Sequence, residues 1–387
     1  MKFNPYPFER LRELLAGLSP GATGDDLNLS IGEPGFSAPP RVLDALKREV
    51  SAIRFYPTLL PELVASQLGF IKYRFGLDLD SEQLVPSFGS RELLFNFPHF
   101  LCLSRRPKAS RFVLAYPNPF YQVYEGARIA TDSIPLYLPL FKENNFKPVL
   151  DSKRLASADV VILNFPNNPT GQILSLEELR CWVRLALEHD FILINDECYS
   201  EVYEGAPPPS LLEASYLEGN TDFKNIFVVN SLSKRLSAPG LRSGFIAGEA
   251  SLLRSYRIFR SYIGLSLPLP LQRASIVAWE EEEYATFIRG KFARNLALAR
   301  EFFPTTTIFP YTFYLWLEVP ALESSPLSPG EVFARELFKR SGLKVLPGAY
   351  LGREGVGAAF VRIALTKEAE LMQPSLSKVA TLYKEGL

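Results

Sequence analysis

Lys234 stands in the run Asn230-Ser231-Leu232-Ser233-Lys234-Arg235, directly after the apolar stretch Ile226-Phe227-Val228-Val229. Two other apolar stretches end in similarly polar groups. Val160-Val161-Ile162-Leu163 leads into Asn164-Phe165-Pro166-Asn167-Asn168-Pro169-Thr170-Gly171, and Phe191-Ile192-Leu193-Ile194 leads into Asn195-Asp196-Glu197-Cys198-Tyr199. In an open, mostly parallel α/β sheet, ligands bind outside the carboxyl ends of the strands. An amine, a carboxylate with a phenol, and an amide would then meet in one crevice. A lysine whose pKa is lowered by desolvation or neighbouring charge condenses with a carbonyl to form a Schiff base. A carboxylate can keep the nitrogen of a pyridine ring protonated, which makes the ring an electron sink for a carbanion. Taken singly these residues are ordinary. Most lysines face solvent, Asp commonly caps the turn after a strand, and Asn-Pro-Thr-Gly is a common turn.

A second group of residues suits a bound phosphate. Ser231 precedes Lys234 by three positions and Arg242 follows it by eight, in Pro239-Gly240-Leu241-Arg242-Ser243-Gly244. A guanidinium recognises phosphate with two parallel N–H bonds. Phe88-Gly89-Ser90-Arg91-Glu92 reads as a glycine turn opening an apolar helix, and the free N–H groups of a helix start form an anion site.

The elements that must position these groups follow a βαβ rhythm. Between about residues 40 and 264, apolar runs at 112–115, 134–138, 160–163, 191–194, 226–229 and 244–247 alternate with helical patterns. Ser175 with Glu178 is a capping box that starts one of those helices. The alternation predicts a mainly parallel sheet covered on both faces. After Pro268-Leu269-Pro270 the rhythm changes. One long helical stretch is expected over about 271–302, with Glu280-Glu281-Glu282-Glu283 as a solvated face. A β-rich run over 308–319 comes next, then a helix opened by Ser328-Pro329-Gly330-Glu331, strands at 343–346 and 360–364, and a final helix ending near Leu387. This reads as a large α/β domain over 40–270 and a small α+β domain built from 1–39, which include a short helix at 7–15, and 271–387.

Lys+Arg and Asp+Glu are equal at 42 each, which argues against an electrostatic nucleic-acid binder and for small-molecule chemistry. Cys102, Cys181 and Cys198 have no metal or CxxC spacing, and His99 and His189 are the only histidines. No metal site is expected, and the thiols read as reduced in a cytoplasmic protein. Neither a signal peptide nor a membrane-spanning apolar run is evident.

The ordered set Gly89-Ser90, Asn168-Pro169-Thr170-Gly171, Asp196 with Tyr199, Ser231 with Lys234, and Arg242 resembles the class I/II aminotransferases of the aspartate aminotransferase superfamily. The resemblance covers essentially the whole chain. It implies the pyridoxal phosphate fold of type I, with a mostly parallel seven-stranded sheet between helices and a small α+β domain. It implies pyridoxal 5'-phosphate bound through Lys234, which would also move protons, with Asp196 on the ring nitrogen and Asn168 and Tyr199 on the ring oxygen. Ser90, the Arg91 backbone, Ser231 and Arg242, with Gly89 at the turn, would hold the phosphate. Tyr121 would stack on the ring, with Phe120 or Tyr124 as substitutes. Arg362, in Phe360-Val361-Arg362-Ile363-Ala364, would clamp the substrate carboxylate beside Gly32 and Asn168. Tyr56 would reach the phosphate bound by the partner subunit, which implies a homodimer, although Leu59-Leu60 stand where a glycine is usual.

Pro5-Tyr6-Pro7-Phe8-Glu9-Arg10, Gly89-Ser90-Arg91-Glu92 and Ser231-Leu232-Ser233-Lys234-Arg235 are similar to bacterial N-succinyl-diaminopimelate aminotransferases. That likeness implies exchange of an amino group with glutamate and 2-oxoglutarate in lysine biosynthesis. The alternatives are a general aspartate or aromatic aminotransferase and a β-lyase on the same fold. Ser231 with Lys234 also fits the serine-acylating signature of penicillin-recognising hydrolases, but no Lys-Thr-Gly follows and Ser231 ends a strand.

Overall fold

A computed structural model describes residues 3–21, 27–264, 266–320 and 325–385. Seven strands, β1 (Leu84–Ser87), β2 (Val113–Asn118), β3 (Ile134–Pro139), β4 (Val160–Leu163), β5 (Ile192–Asp196), β6 (Ile226–Ser231) and β7 (Gly244–Gly248), form one sheet in the order β1-β7-β6-β5-β4-β2-β3. Only β7 runs against its neighbours. Six of these strands match expected apolar runs. β1 does not stand out in the sequence because it is four residues long and carries Pro86, which a sheet edge tolerates.

Successive side chains of a strand point to opposite faces, and here both faces are covered. Val160 and Ile162 pack with Phe97 and Tyr256 on one side. Val161 and Leu163 join Trp182 and Phe70 on the other. This double burial explains why the strands read as unbroken apolar runs. Trp182 lies on the helix Leu176–His189, whose capping box forms as the sequence implies: the Ser175 N–H donates to Glu178 Oε2 at 2.7 Å and the Glu178 N–H to Ser175 Oγ at 3.2 Å. Truncating a core tryptophan of this kind to Ala costs about 3–5 kcal/mol.

A smaller antiparallel sheet, in the order β8-β10-β9, contains β8 (Tyr314–Glu318), β9 (Leu346–Pro347) and β10 (Phe360–Ala364). The expected β-rich run is therefore a strand only from Tyr314 onward. Among the residues before it, Phe309 and Thr312 touch the space beside Gly171. Helix Pro7–Leu15 packs against helix Pro329–Ser341 and β9. Beyond that helix, the Leu29 N–H donates to the Lys344 carbonyl at 2.9 Å and the Leu29 carbonyl accepts from the Ala364 N–H at 2.8 Å. These bonds fix the chain leading to Gly32. The final helix is Ala369–Glu385, and its expected end at Leu387 lies outside the described residues.

One expected helix is two. Helix Leu269–Trp279 stops and helix Glu282–Phe302 begins after Glu280 and Glu281. Arg235 closes the first helix by donating from Nη1 to the carbonyls of Ala278 at 3.0 Å and Trp279 at 3.1 Å, and it also pairs with Glu282. Glu281 is buried and pairs with Arg41 at 2.7 Å. The acidic run is thus no simple solvated face, because two of its members hold a helix junction together.

Candidate active site

The sheet order explains how distant motifs meet. β4, β5 and β6 are parallel neighbours, so Asn164, Asp196 and Ser231 reach the same edge. Because β7 is reversed, its start rather than its end lies there, and Arg242 precedes that start. Gly244 pairs with Ser231 on one side and with Ser87 on the other. A Cβ on Gly244 would lie 2.6 Å from the Asn230 carbonyl oxygen and 3.0 Å from the Gly89 Cα. Only glycine lets these backbones approach so closely.

The edge opens into a cavity of about 370 Å³. All the site residues singled out in the sequence line it except Gly89, which turns the chain into Ser90, and Tyr56. Tyr56 is 98% exposed and outside this cavity. Of the three aromatic residues considered for stacking, only Tyr121 faces the cavity, where its hydroxyl accepts from Arg91 Nε at 2.6 Å. Phe120 is buried edge-on against Tyr116.

Lys234 is partly accessible within the cavity, and its amine donates to the Gly32 carbonyl. Burial of the amine lowers its pKa, and the Arg362 charge acts in the same direction, against Tyr314, Cys198 and Glu33. Asp196 is buried, which raises its carboxyl pKa. The Tyr124 hydroxyl donates to its Oδ2 at 2.7 Å and the Cys198 N–H to its Oδ1 at 3.3 Å, and these bonds with the Lys234 charge pull it back down. Asn164 ties two loops together: its Nδ2 donates to the Asp196 carbonyl at 3.0 Å and its Oδ1 accepts from the Asn168 N–H at 3.0 Å.

Arg362 projects from β10. It donates from Nη1 to Asn168 Oδ1 at 2.9 Å and from Nη2 to the Ser30 carbonyl at 2.7 Å, while Nε has no partner among the described residues. Its guanidinium lies 4.3 Å above the Tyr314 ring. The Tyr314 hydroxyl is 3.1 Å from that of Tyr199. Burial pushes the Tyr199 phenol well up.

At the other end, Gly89 has φ +78° and precedes helix Ser90–Ser104. Arg242 sits at φ +52°, a left-handed conformation that few non-glycine residues adopt. Its Nη1 donates to the Pro239 carbonyl and its Nη2 to the Phe88 carbonyl, each at 2.9 Å. A Cβ at Gly89 would meet Nη2 at 3.0 Å. Glycine at the turn, the N–H groups that a first helical turn leaves without intrahelical acceptors, and a guanidinium at its mouth make a cradle that fits a phosphate.

Three residues have roles that the sequence reading did not give them. Tyr314 sits in a run dense in β formers, where it looks like core. Tyr124 is the donor to Asp196 and not a stacking substitute. Asn164 had a usable signal, an amide directly past a buried strand.

A seven-stranded sheet with a small antiparallel sheet, a lysine and a carboxylate at adjacent strand ends and a phosphate cradle together define the type I fold of pyridoxal phosphate enzymes. The chain belongs to the aminotransferase class I and II family, whose model matches residues 24–377. It is an aminotransferase, and membership implies pyridoxal 5'-phosphate as its cofactor. The chain is similar to the crystal structure of the aminotransferase AspB of Helicobacter pylori, at 49% identity with TM-score 0.93, covering 99% of this chain and 100% of that one. An aminotransferase of Neisseria meningitidis is 31% identical with TM-score 0.89, covering 99% and 98%. The LL-diaminopimelate aminotransferase of Syntrophobacter fumaroxidans is 30% identical over 98% of this chain and 96% of that protein. Among the described residues no helix is long and apolar enough to cross a membrane.

Proposed function

We propose that this transaminase acts on N-succinyl-L,L-diaminopimelate with 2-oxoglutarate as amino acceptor, as a cytoplasmic homodimer. One observation carries the reading of the site. The Lys234 amine shares its cavity with Asp196 and Arg362 and has no carboxylate partner among the described residues. The diaminopimelate part rests on relatives named for LL-diaminopimelate and on the N-terminal and lysine-bearing strings. Those relatives are named for the free diamine, so LL-diaminopimelate itself is the second reading.

When bound, pyridoxal phosphate supplies the carbonyl that exchanges amines and a ring that accepts electrons from the substrate α-carbon. Lys234, whose amine is made less basic by burial, would hold that carbonyl and move a proton at the substrate α-carbon. Asp196 acts as the carboxylate that keeps the ring nitrogen protonated. Tyr199 and Asn168 would donate to the ring oxygen, and Tyr121 would stack on the ring. Gly89, Ser90, the Arg91 backbone, Ser231 and Arg242 hold the phosphate, and Tyr56 reaches the phosphate bound by the partner subunit. Arg362 takes the substrate α-carboxylate with its fork, with Gly32 and Asn168 lining the same pocket.

A donor screen with 2-oxoglutarate, read as glutamate formed, tests the substrate. N-succinyl-L,L-diaminopimelate should give the highest kcat/KM. Turnover of aspartate or aromatic amino acids without the succinylated substrate would overturn that choice.

A further inference from the structure

We propose that Tyr314 is a positioning residue for the reaction: its hydroxyl donates to that of Tyr199 and so directs the single Tyr199 proton into the cavity. The inference rests on the functional reading above, in which Tyr199 donates to the cofactor's ring oxygen. Tyr199 follows β5 of the large sheet and Tyr314 opens β8 of the small one, yet their oxygens are 3.1 Å apart. Both phenols are buried and both line the cavity.

Counting protons decides the direction. Two hydroxyls facing each other satisfy one proton between them, and the second needs another acceptor. The Tyr314 oxygen has no other hydrogen-bond partner among the described residues, and its far side is closed by Gly32, where an added Cβ would lie only 1.8 Å away. The Arg362 guanidinium covers one face of its ring, and Phe313 packs edge-on at 4.9 Å. With Gly32 against the Tyr314 oxygen and Tyr199 the phenol that faces the ring oxygen in the functional reading, the Tyr314 proton goes to Tyr199, and the Tyr199 proton is left for a ligand oxygen. A phenol that accepts one hydrogen bond is a stronger donor in the next.

The charged and titratable groups around the pair are Lys234 after β6, Asp196 and Cys198 at the end of β5, Arg362 on β10 and Glu33 on the N-terminal segment. Tyr314 touches this set through Arg362 and Gly32, so it also joins the substrate-carboxylate clamp to the phenol. A donor to the ring oxygen stabilises its anionic form. With the cofactor bound, a weaker donor at that oxygen would raise the pH at which the chromophore loses its proton.

The test is a pH titration of the visible absorbance of the holoenzyme without substrate, for the wild type, Tyr314→Phe, Tyr199→Phe and the double variant. Phenylalanine keeps the ring under Arg362 and removes only the hydroxyl. Tyr314→Phe should raise the apparent pKa of the chromophore by roughly half a pH unit, and Tyr199→Phe by more. The double variant should titrate like Tyr199→Phe alone, because Tyr314 acts through Tyr199. An unmoved pKa in Tyr314→Phe, or full additivity in the double variant, overturns the inference. Replacing Tyr314 with 3,5-difluorotyrosine, a stronger donor of the same shape, should lower the pKa, and no shift there is equally contrary. Should Tyr314→Phe fail to fold, that analogue decides alone. A wild type that shows no cofactor absorbance overturns the functional reading and this inference with it; a normal wild-type titration with unmoved variants overturns the inference alone.

Discussion

Arg362 and Asn168 are joined by a hydrogen bond of 2.9 Å from Nη1 to Oδ1, which links the small sheet to the turn after β4. The bond orients a guanidinium whose other hydrogen bond goes to the Ser30 carbonyl, whose face lies over the Tyr314 ring, and which has no carboxylate partner among the described residues. A substrate carboxylate would complete it.

Arg362→Lys should therefore lower kcat/KM for every amino donor by about 10- to 100-fold, the cost of losing a charge-assisted fork. Steady-state kinetics with two chemically different donors checks this. Equal loss on both is expected because the α-carboxylate is common to all amino acids, and loss confined to one donor would place Arg362 on the side chain instead.

The Tyr124 hydroxyl donates a hydrogen bond to a buried Asp196 carboxylate whose pKa burial already raises. Tyr124→Phe removes a bond to the charged form, so the Asp196 pKa rises further. Since the carboxylate is the working form, the acid limb of the kcat–pH profile should move to higher pH. The loss should be about five- to tenfold on the acid side of the profile and smaller on the alkaline side. A parallel drop at all pH values would assign Tyr124 to packing alone.

Sequence showed much of this arrangement, and for a physical reason. Strands buried on both faces read as plain apolar runs, and polar residues directly beyond them stand out, as with Asp196 and Lys234. Ser175 with Glu178 and Ser328 with Glu331 marked helix starts because the capping bond is local. What stayed hidden depends on contacts distant in the chain. Tyr314 looks like core until folding sets it against Gly32 and Tyr199. The break after Trp279 is made by Arg235, more than forty positions away, and nothing nearby announces it.

Gly32 has no room for a side chain, since a Cβ would lie 1.8 Å from the Tyr314 hydroxyl and 2.7 Å from its Cζ. Gly32→Ala should displace Tyr314 and the Lys234 contact together and lower kcat by about 100-fold or more. Thermal melting and kinetics on the same preparation check this; activity within about threefold of wild type would show that the segment yields freely.

Glu197 is a buried carboxyl with one oxygen accepting from Asn195 Nδ2, Ser210 Oγ and the Leu211 N–H, and the other without a partner among the described residues. Burial pushes its pKa up to about 8. In the unfolded chain a glutamate titrates near about 4.3. Between these values the folded protein holds a proton that the unfolded chain has lost, so stability falls as pH rises through the window. Glu197→Gln removes that slope. Its melting temperature relative to wild type should rise by a few degrees between about pH 5 and about pH 8.5, as differential scanning calorimetry would record. A constant difference would mean that Glu197 stays ionised throughout.

The covalent role of Lys234 is tested most directly by reducing the holoenzyme with borohydride and mapping its peptides by mass spectrometry. A pyridoxyl phosphate adduct on the peptide carrying Lys234, absent in Lys234→Ala, is the expected result. An adduct on another lysine, or none in a protein that turns over amino acids, would contradict it.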